Sequence, residues 1–157
     1  AVRDSSLEAH QALRSMIAVL RTGDAAVVSP HRGAIPALVD DARRQGLTVT
    51  LDDTLSGDIP SSVELAAARI VQEPLANCLR HAGGAAVDVV LDSHHGDVRV
   101  RVDSRGGRPA TGVPMPGTGW GLELLQERAR ALGGAVEAGP SDAGWSVRAT
   151  IPAGVHA

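Results

Sequence analysis

The stretch 69-RIVQEPLANCLRHAGG-84 carries two patterns on one predicted helix. Its apolar residues recur at helical spacing and continue an apolar run that precedes them, which predicts a helix with one buried side. Glu73, Asn77 and His81 stand four residues apart, so their polar side chains share another side of the same helix. Pro74 interrupts this helix, although a proline ring in a helix interior costs about 3 kcal/mol. A carboxylate, an amide and an imidazole aligned on a core helix indicate a polar site.

Composition restricts the kind of protein to which this helix belongs. The chain has 157 residues, 43% hydrophobic and 21% charged, which suits one globular domain with its own core. Only 1% of the residues are aromatic, so the core must be built from Leu, Val, Ile and Ala. A net charge of -3 and a sequence without lysine argue against a nucleic-acid partner, because phosphate backbones attract clustered basic residues.

The single cysteine and the lack of long apolar runs bear on location. Cys78 cannot form an internal disulfide, which fits a reducing compartment. No apolar run approaches the roughly 18 to 20 residues of a membrane span, and the first residues do not form a signal peptide. We therefore expect a cytoplasmic location, which is compatible with a membrane anchor elsewhere in a longer parent protein.

Hydrophobic periodicity predicts the remaining elements. Helices are predicted over residues 5–21, 34–45 and 122–132, and strands over residues 47–51, 86–92, 98–103, 135–139 and 145–151. Ser61 and Glu64 are spaced as a capping box at the start of the central helix, which should end at Gly83 and Gly84. This order predicts the α+β class, a mixed sheet with helices on one face preceded by an N-terminal amphipathic helix.

Two glycine-rich segments add to the polar side of the central helix. Asp103 ends a predicted strand before Gly106 and Gly107, and 117-GTGWG-121 leads directly into a helix. Glycine turns let the backbone approach a ligand closely, and a helix N-terminus presents unpaired N–H groups to an anion. An asparagine oxygen suits Mg²⁺, a nearby carboxylate can orient or deprotonate a nucleophile, and Arg80 adds positive charge. This inventory fits a nucleoside triphosphate bound with Mg²⁺.

Each of these features alone has a more ordinary explanation. A glutamate on a helix is usually a solvated charge, an asparagine more often anchors a loop, and a glycine-rich run can be a hinge. His94 and His95 stand in a predicted turn without the spacing of metal ligands. The nucleotide hypothesis therefore depends on the order and spacing of the features together.

The same segments resemble the catalytic ATP-binding domain of sensor histidine kinases, in the GHKL ATPase superfamily. Residues 69–84 are similar to the N box of the subfamily that pairs with helix-turn-helix response regulators. The segment 102-VDSRGG-107 resembles the first glycine box and 117-GTGWGLELLQERARALGG-134 the second, while 144-GWSVRATIP-152 resembles the closing strand. The resemblance covers about residues 34–152.

This resemblance implies a domain organisation and partners. Residues 34–157 would form the ATP-binding catalytic domain, a two-layer α/β sandwich of the Bergerat type. Residues 1–22 would be part of the second helix of a dimerisation and phosphoacceptor hairpin, through which the full-length parent forms a homodimer. The acceptor histidine would lie on a dimerisation helix absent from this chain, and the partner would be a response regulator.

The resemblance also implies residue roles. Asn77 would hold Mg²⁺, and Glu73 would be the catalytic polar or basic group near the γ-phosphate of ATP. Arg80 and His81 would face phosphate and ribose, and Asp103 would accept a hydrogen bond from the adenine amine. The other residues implied in nucleotide binding are Gly107, Gly117, Thr118, Gly119, Gly121 and Leu122.

The sequence departs from the family pattern at two positions. Arg105 stands where the first glycine box has its first glycine, so only Gly107 stays in register unless Gly106 shifts the turn by one. Pro74 replaces a helix former and should bend the helix before Asn77. Residues 108–118 would form a short mobile lid over ATP.

Three functions remain open at this point. The first is a histidine kinase catalytic domain that transfers the ATP γ-phosphoryl to a histidine. The second is a degenerate nucleotide-binding regulatory module without transfer activity, which Arg105 and Pro74 favour. The third is a GHKL protein kinase that acts as an anti-sigma partner, against which the dimerisation-like helix argues.

Overall fold

The chain forms a mixed β-sheet with helices packed on one of its faces. The structure is a computed structural model that describes residues 33–106, 108–109 and 119–154. The helices are α1 (Ala34–Arg44), α2 (Ser61–His81) and α3 (Gly119–Ala131). The strands are β1 (Thr48–Asp53), β2 (Ala82–Gly83), β3 (Ala86–His94), β4 (Asp97–Arg105), β5 (Arg108–Pro109), β6 (Ala135–Ser141) and β7 (Gly144–Pro152).

The main sheet has five strands in the order β1-β3-β4-β7-β6. β1 and β3 are parallel, because α2 lies between them and returns the chain to the same end of the sheet. The other neighbouring pairs are antiparallel, and two of them, β3–β4 and β6–β7, are hairpins with short turns. The predicted α+β class is confirmed.

The core lies between the sheet and the helices and is aliphatic, as the composition predicted. Alternate residues of the strands are buried, and those of β4 are Val98, Val100 and Val102. The helices bury Ile35, Val39, Ile70 and Val71 against them. Because side chains alternate along a strand, the intervening residues lie on the other face of the sheet, which no described helix covers.

The central helix α2 runs without interruption through Pro74, which is itself buried. The start differs from the prediction, because Pro60 is the N-cap and no side chain caps the helix. The Pro60 carbonyl accepts hydrogen bonds from the backbone N–H groups of Val63 and Glu64 at 2.9 and 3.0 Å. The predicted capping box is therefore absent, since Ser61 is already inside the first turn.

The end of α2 also differs from the prediction. The helix stops at His81, and Ala82–Gly83 form a short strand antiparallel to Arg108–Pro109. The C-terminus of α1 follows the prediction, because Gly46 has a φ of 107° and its N–H bonds to the Arg43 carbonyl at 3.1 Å.

Two predictions fall outside the part of the chain that the structure describes. These are the amphipathic helix at residues 5–21, with its assignment to a hairpin over residues 1–22, and most of the lid at residues 108–118. None of the three described helices is both long enough and apolar enough to cross a membrane.

Candidate functional site

The candidate site lies at the C-terminal end of α2. The side-chain oxygen of Asn77 accepts a hydrogen bond from Arg80 Nη2 at 2.8 Å, and the same nitrogen lies 3.8 Å from Glu73 Oε1. Glu73 and Asn77 are one helical turn apart, about 6 Å along the axis. Two oxygens on different turns therefore converge on one positively charged nitrogen.

This arrangement suits a hard cation and an anionic ligand. Mg²⁺ prefers carboxylate and amide oxygens and keeps several of its waters, so one or two protein oxygens are enough to hold it beside phosphates. Asn77 Oδ1 and Glu73 Oε1 already share a cationic neighbour, the guanidinium of Arg80. The residues present therefore fit Mg²⁺ together with a polyphosphate.

Gly121 places the first turn of α3 against the carboxylate of Glu73. A Cβ atom at Gly121 would lie 2.3 Å from Glu73 Oε1 and 2.7 Å from its Cδ, so any side chain there would occupy the position of the carboxylate. α3 begins at Gly119, and its first backbone N–H groups have no partner within the helix. Leu122 is half-buried and packs against the core, which fixes this turn beside α2.

Asp103 does not face this site. Val98, Val100 and Val102 of β4 are buried against the helices, and Asp103 follows in the opposite phase, on the helix-free face of the sheet. There its carboxylate pairs with Arg101 Nε at 3.0 Å. The implied contact between Asp103 and an adenine amine is therefore not supported, because the whole sheet separates this carboxylate from α2.

Ser104 occupies the place that was expected for Asp103. It continues the inward-facing row of β4, and its Oγ donates a hydrogen bond to the carbonyl oxygen of Trp145 at 3.3 Å. The same hydroxyl is also within hydrogen-bonding reach of the thiol of Cys78, the residue after Asn77, so its one hydrogen serves either partner. Burial raises the pKa of this thiol above its usual range, and the Ser104 hydrogen bond opposes that effect. The alternation of valines before Ser104 was the sequence signal that could have identified it.

The first glycine box is shifted by one residue. Arg105 is still in strand β4, and its guanidinium pairs with Asp88 on the helix-free face. Gly106 takes the positive φ, 67°, that begins the turn. Arg105 therefore neither enters the candidate site nor requires a left-handed conformation.

The structure brings together only part of the residues expected in the site. Glu73, Asn77, Arg80 and Gly121 are neighbours. His81 is the half-buried last residue of α2, about 12 Å along the axis from Glu73. Gly119 starts α3, whereas Gly107, Gly117 and Thr118 lie outside the described residues.

Another hollow lies at the opposite end of α2. It encloses about 210 Å³ including open solvent, and its lining is apolar except for Glu64. The lining residues are Ile35, Leu55, Ile59, Val63, Glu64, Ala67 and Val98. A hollow with one polar side chain offers nothing to bind a phosphate, so the C-terminal end of α2 remains the candidate site.

Solved structures of kinases share this arrangement of elements. The histidine kinase domain of a blue-light activated histidine kinase from Erythrobacter litoralis superposes with a TM-score of 0.59 and 22% identity, over 76% of this chain and 57% of that one. The mycobacterial sensor histidine kinase MprB gives a TM-score of 0.54 and 21% identity, over 76% of this chain and 93% of that one. The chain has the fold of a histidine kinase catalytic domain.

Sequence comparison agrees with this kinase fold. The methanol utilization control sensor protein MoxY of Paracoccus denitrificans is 29% identical over 140 residues, which are 85% of this chain and 31% of that protein. The chain thus spans about a third of the length of this relative. No protein-family model matches the chain. The predicted resemblance to sensor histidine kinases is confirmed in the fold, which is the catalytic-domain fold with its mixed five-stranded sheet.

Proposed function

We propose that the chain is the ATP-binding catalytic domain of a two-component histidine kinase. It binds ATP with Mg²⁺ and transfers the γ-phosphoryl group to a histidine on a dimerisation helix outside this chain. The observation that carries the proposal is the convergence of Glu73 and Asn77 oxygens on one Arg80 nitrogen, beside the first turn of α3.

Each residue of the cluster has a separate role in this proposal. Asn77 Oδ1 holds Mg²⁺, which when bound neutralises phosphate charge. Arg80 turns its guanidinium from Asn77 towards the phosphates, which it can do because its side chain is 54% exposed. The first N–H groups of α3 receive phosphate oxygens, and Gly121 leaves room for the Glu73 carboxylate beside them.

Glu73 acts on the acceptor rather than on the nucleotide. The acceptor imidazole nitrogen forms a bond to the γ-phosphorus while the bond from that phosphorus to the ADP oxygen breaks, so ADP leaves with the electron pair. The acceptor must then lose its N–H proton, and the Glu73 carboxylate is the group positioned to orient the ring and accept it. This carboxylate fills the space that a side chain at position 121 would take.

The proposed partners follow from the similarity to sensor kinases. A response regulator receives the phosphoryl group, and the parent protein forms a homodimer through the hairpin to which residues 1–22 would belong. The net charge of -3 argues against a nucleic-acid partner, and we place the domain in the cytoplasm.

Calorimetric titration with a non-hydrolysable ATP analogue tests the binding step. Affinity should rise at least tenfold with Mg²⁺, about 1.4 kcal/mol, and Asn77→Ala should remove this dependence while the fold survives. Gln45→Ala, which removes an exposed amide just after α1, is the matched control and should keep the Mg²⁺ dependence. Equal affinity of the parent chain with and without Mg²⁺ would contradict the proposal.

Labelling with γ-labelled ATP tests the transfer step. The chain alone should not become labelled, whereas an acceptor hairpin supplied in trans should be labelled slowly. Glu73→Gln should slow this transfer more than it weakens ATP binding, and Glu137→Gln, on an exposed position of β6, should leave it unchanged.

A nucleotide-binding regulatory module is the second candidate function. The position of Asp103 on the helix-free face favours it, because the site lacks the carboxylate that the resemblance implied for the base. Tight Mg²⁺-dependent binding without any labelling of the hairpin would select this function over the kinase.

A further inference from the structure

The inner face of the sheet ends in two unusual side chains beside the candidate site. Ser104 and Trp145 are direct partners across the antiparallel strands β4 and β7, so they share one face. That face is the inner one, because Trp145 is in phase with Val147, Ala149 and Ile151, which are buried. The two residues therefore lie under the C-terminal end of α2.

The indole of Trp145 is left partly in solvent. It is 46% exposed, although the rest of its row is buried, and it is one of only two tryptophans in a chain without Phe or Tyr. A flat aromatic surface beside a polar cluster can act as a stacking platform, since every nucleobase has a π face. The Ser104 hydroxyl lies next to this indole. It also neighbours the thiol of Cys78, and Cys78 directly follows Asn77 in α2.

We propose that Ser104 and Trp145 form the base-binding end of the nucleotide site, and that this end accepts adenine and guanine alike. The proposal rests on the proposed function, because it takes the phosphates to lie at Asn77 and the first turn of α3. A hydroxyl both donates and accepts hydrogen bonds, so it pairs with an exocyclic amine or with a carbonyl oxygen. A carboxylate only accepts, and it would reject the carbonyl of guanine.

The relaxed selectivity follows from the position of Asp103, which the strand places away from the proposed base. The only carboxylate at the end of β4 is on the helix-free face, where Arg101 pairs with it. Stacking on Trp145 adds affinity without distinguishing one purine from another. At the proposed base-binding end, the Ser104 hydroxyl and the Trp145 indole therefore stand where the resemblance implied a carboxylate that accepts only.

Competition between ATP and GTP, each with Mg²⁺ and the intact chain, tests the proposal. The two dissociation constants should agree within about threefold, and Trp145→Ala should weaken both by about fivefold or more while Trp145→Phe restores them. Ser104→Asp should shift the ratio towards ATP by about tenfold, and Asp103→Asn should leave it unchanged. Quenching of Trp145 fluorescence by either nucleotide, measured in a Trp120→Phe background, gives an independent readout.

Three outcomes would overturn the proposal. A parent chain that prefers ATP at least tenfold and loses this preference in Asp103→Asn would show that Asp103 reaches the base. Unchanged affinities in Trp145→Ala would show that the indole is not a platform. These two results leave the proposed function intact as long as Asn77 still governs Mg²⁺ dependence, whereas no nucleotide binding at all would overturn both proposals.

Discussion

Substitution of Gly121 by alanine separates the role of Glu73 from the stability of the fold. The added Cβ would lie 2.3 Å from Glu73 Oε1 and 3.2 Å from its Cγ, and the close atoms all belong to this one side chain. The Glu73 side chain is 30% exposed and can rotate towards solvent, at about 0.5–1.5 kcal/mol for an unfavourable rotamer. Alanine in a helix is favoured over glycine by about 0.5–1 kcal/mol. The two effects offset, so the free energy of unfolding should change by less than about 1 kcal/mol.

Activity should change much more than stability. With its carboxylate displaced, Glu73 can no longer reach the acceptor, and transfer from γ-labelled ATP to the hairpin should slow at least tenfold, about 1.4 kcal/mol. ATP affinity should stay within about threefold of the parent, because the Asn77 contact is kept. The double variant Gly121→Ala with Glu73→Gln should lose no more than either single variant, since both remove the same group. Transfer at the parental rate in a folded Gly121→Ala protein would refute the assignment of Glu73, and unfolding of that variant would refute the rotation.

Two further predictions concern stability. Gly134→Ala should lower the free energy of unfolding by about 1–3 kcal/mol, because its Cβ would lie 2.4 Å from the backbone oxygen of Thr150, whereas Gly139→Ala has nothing within 4 Å and is the control. Equal denaturation midpoints for these two variants would contradict the packing. Burial raises the pKa of the Cys78 thiol above its ordinary 9.0, so the thiol ionises first in the unfolded chain. The free energy of unfolding should therefore be unchanged below pH 9.0 and fall above it, by at most about 1.4 kcal/mol per pH unit. No lysine or tyrosine titrates in this window, so Cys78→Ala should flatten the alkaline limb, and a slope that persists in this variant would assign it elsewhere.

Most of the architecture could be predicted from hydrophobic periodicity. The apolar side of α2 and the alternation in β3, β4 and β7 are long and regular, so their types and order were recognisable in the sequence. The β3–β4 turn carries Gly96, and Gly46 ends α1 with the positive φ that its position requires.

Short-range features were harder to predict for physical reasons. The pairing of Ala82–Gly83 with Arg108–Pro109 involves two-residue strands, which are too short to show any periodicity. The capping box of Ser61 and Glu64 failed because Pro60, with its fixed φ of -55°, already places its carbonyl to receive the first helical N–H groups. In both cases the neighbouring backbone, rather than a local residue pattern, determined the structure.

At the site, too, the residue motif and the hydrophobic periodicity predict different structures. Burial of the periodic valines stabilises the fold by more than the hydrogen bond that the motif predicts for Asp103. To turn Asp103 towards α2, β4 would have to slip by one residue, which would carry its whole inner row to the opposite face. Val98, Val100 and Val102 are each at most 1% exposed. Exposing them would lose about 1.5–3 kcal/mol of burial free energy for each, or about 5–9 kcal/mol together. That is comparable with the entire stability of an ordinary domain, about 5–15 kcal/mol. One hydrogen bond from Asp103 to a base, worth about 0.5–3 kcal/mol, cannot offset such a loss. The valines therefore decide which residue ends the inner row of β4, and it is Ser104.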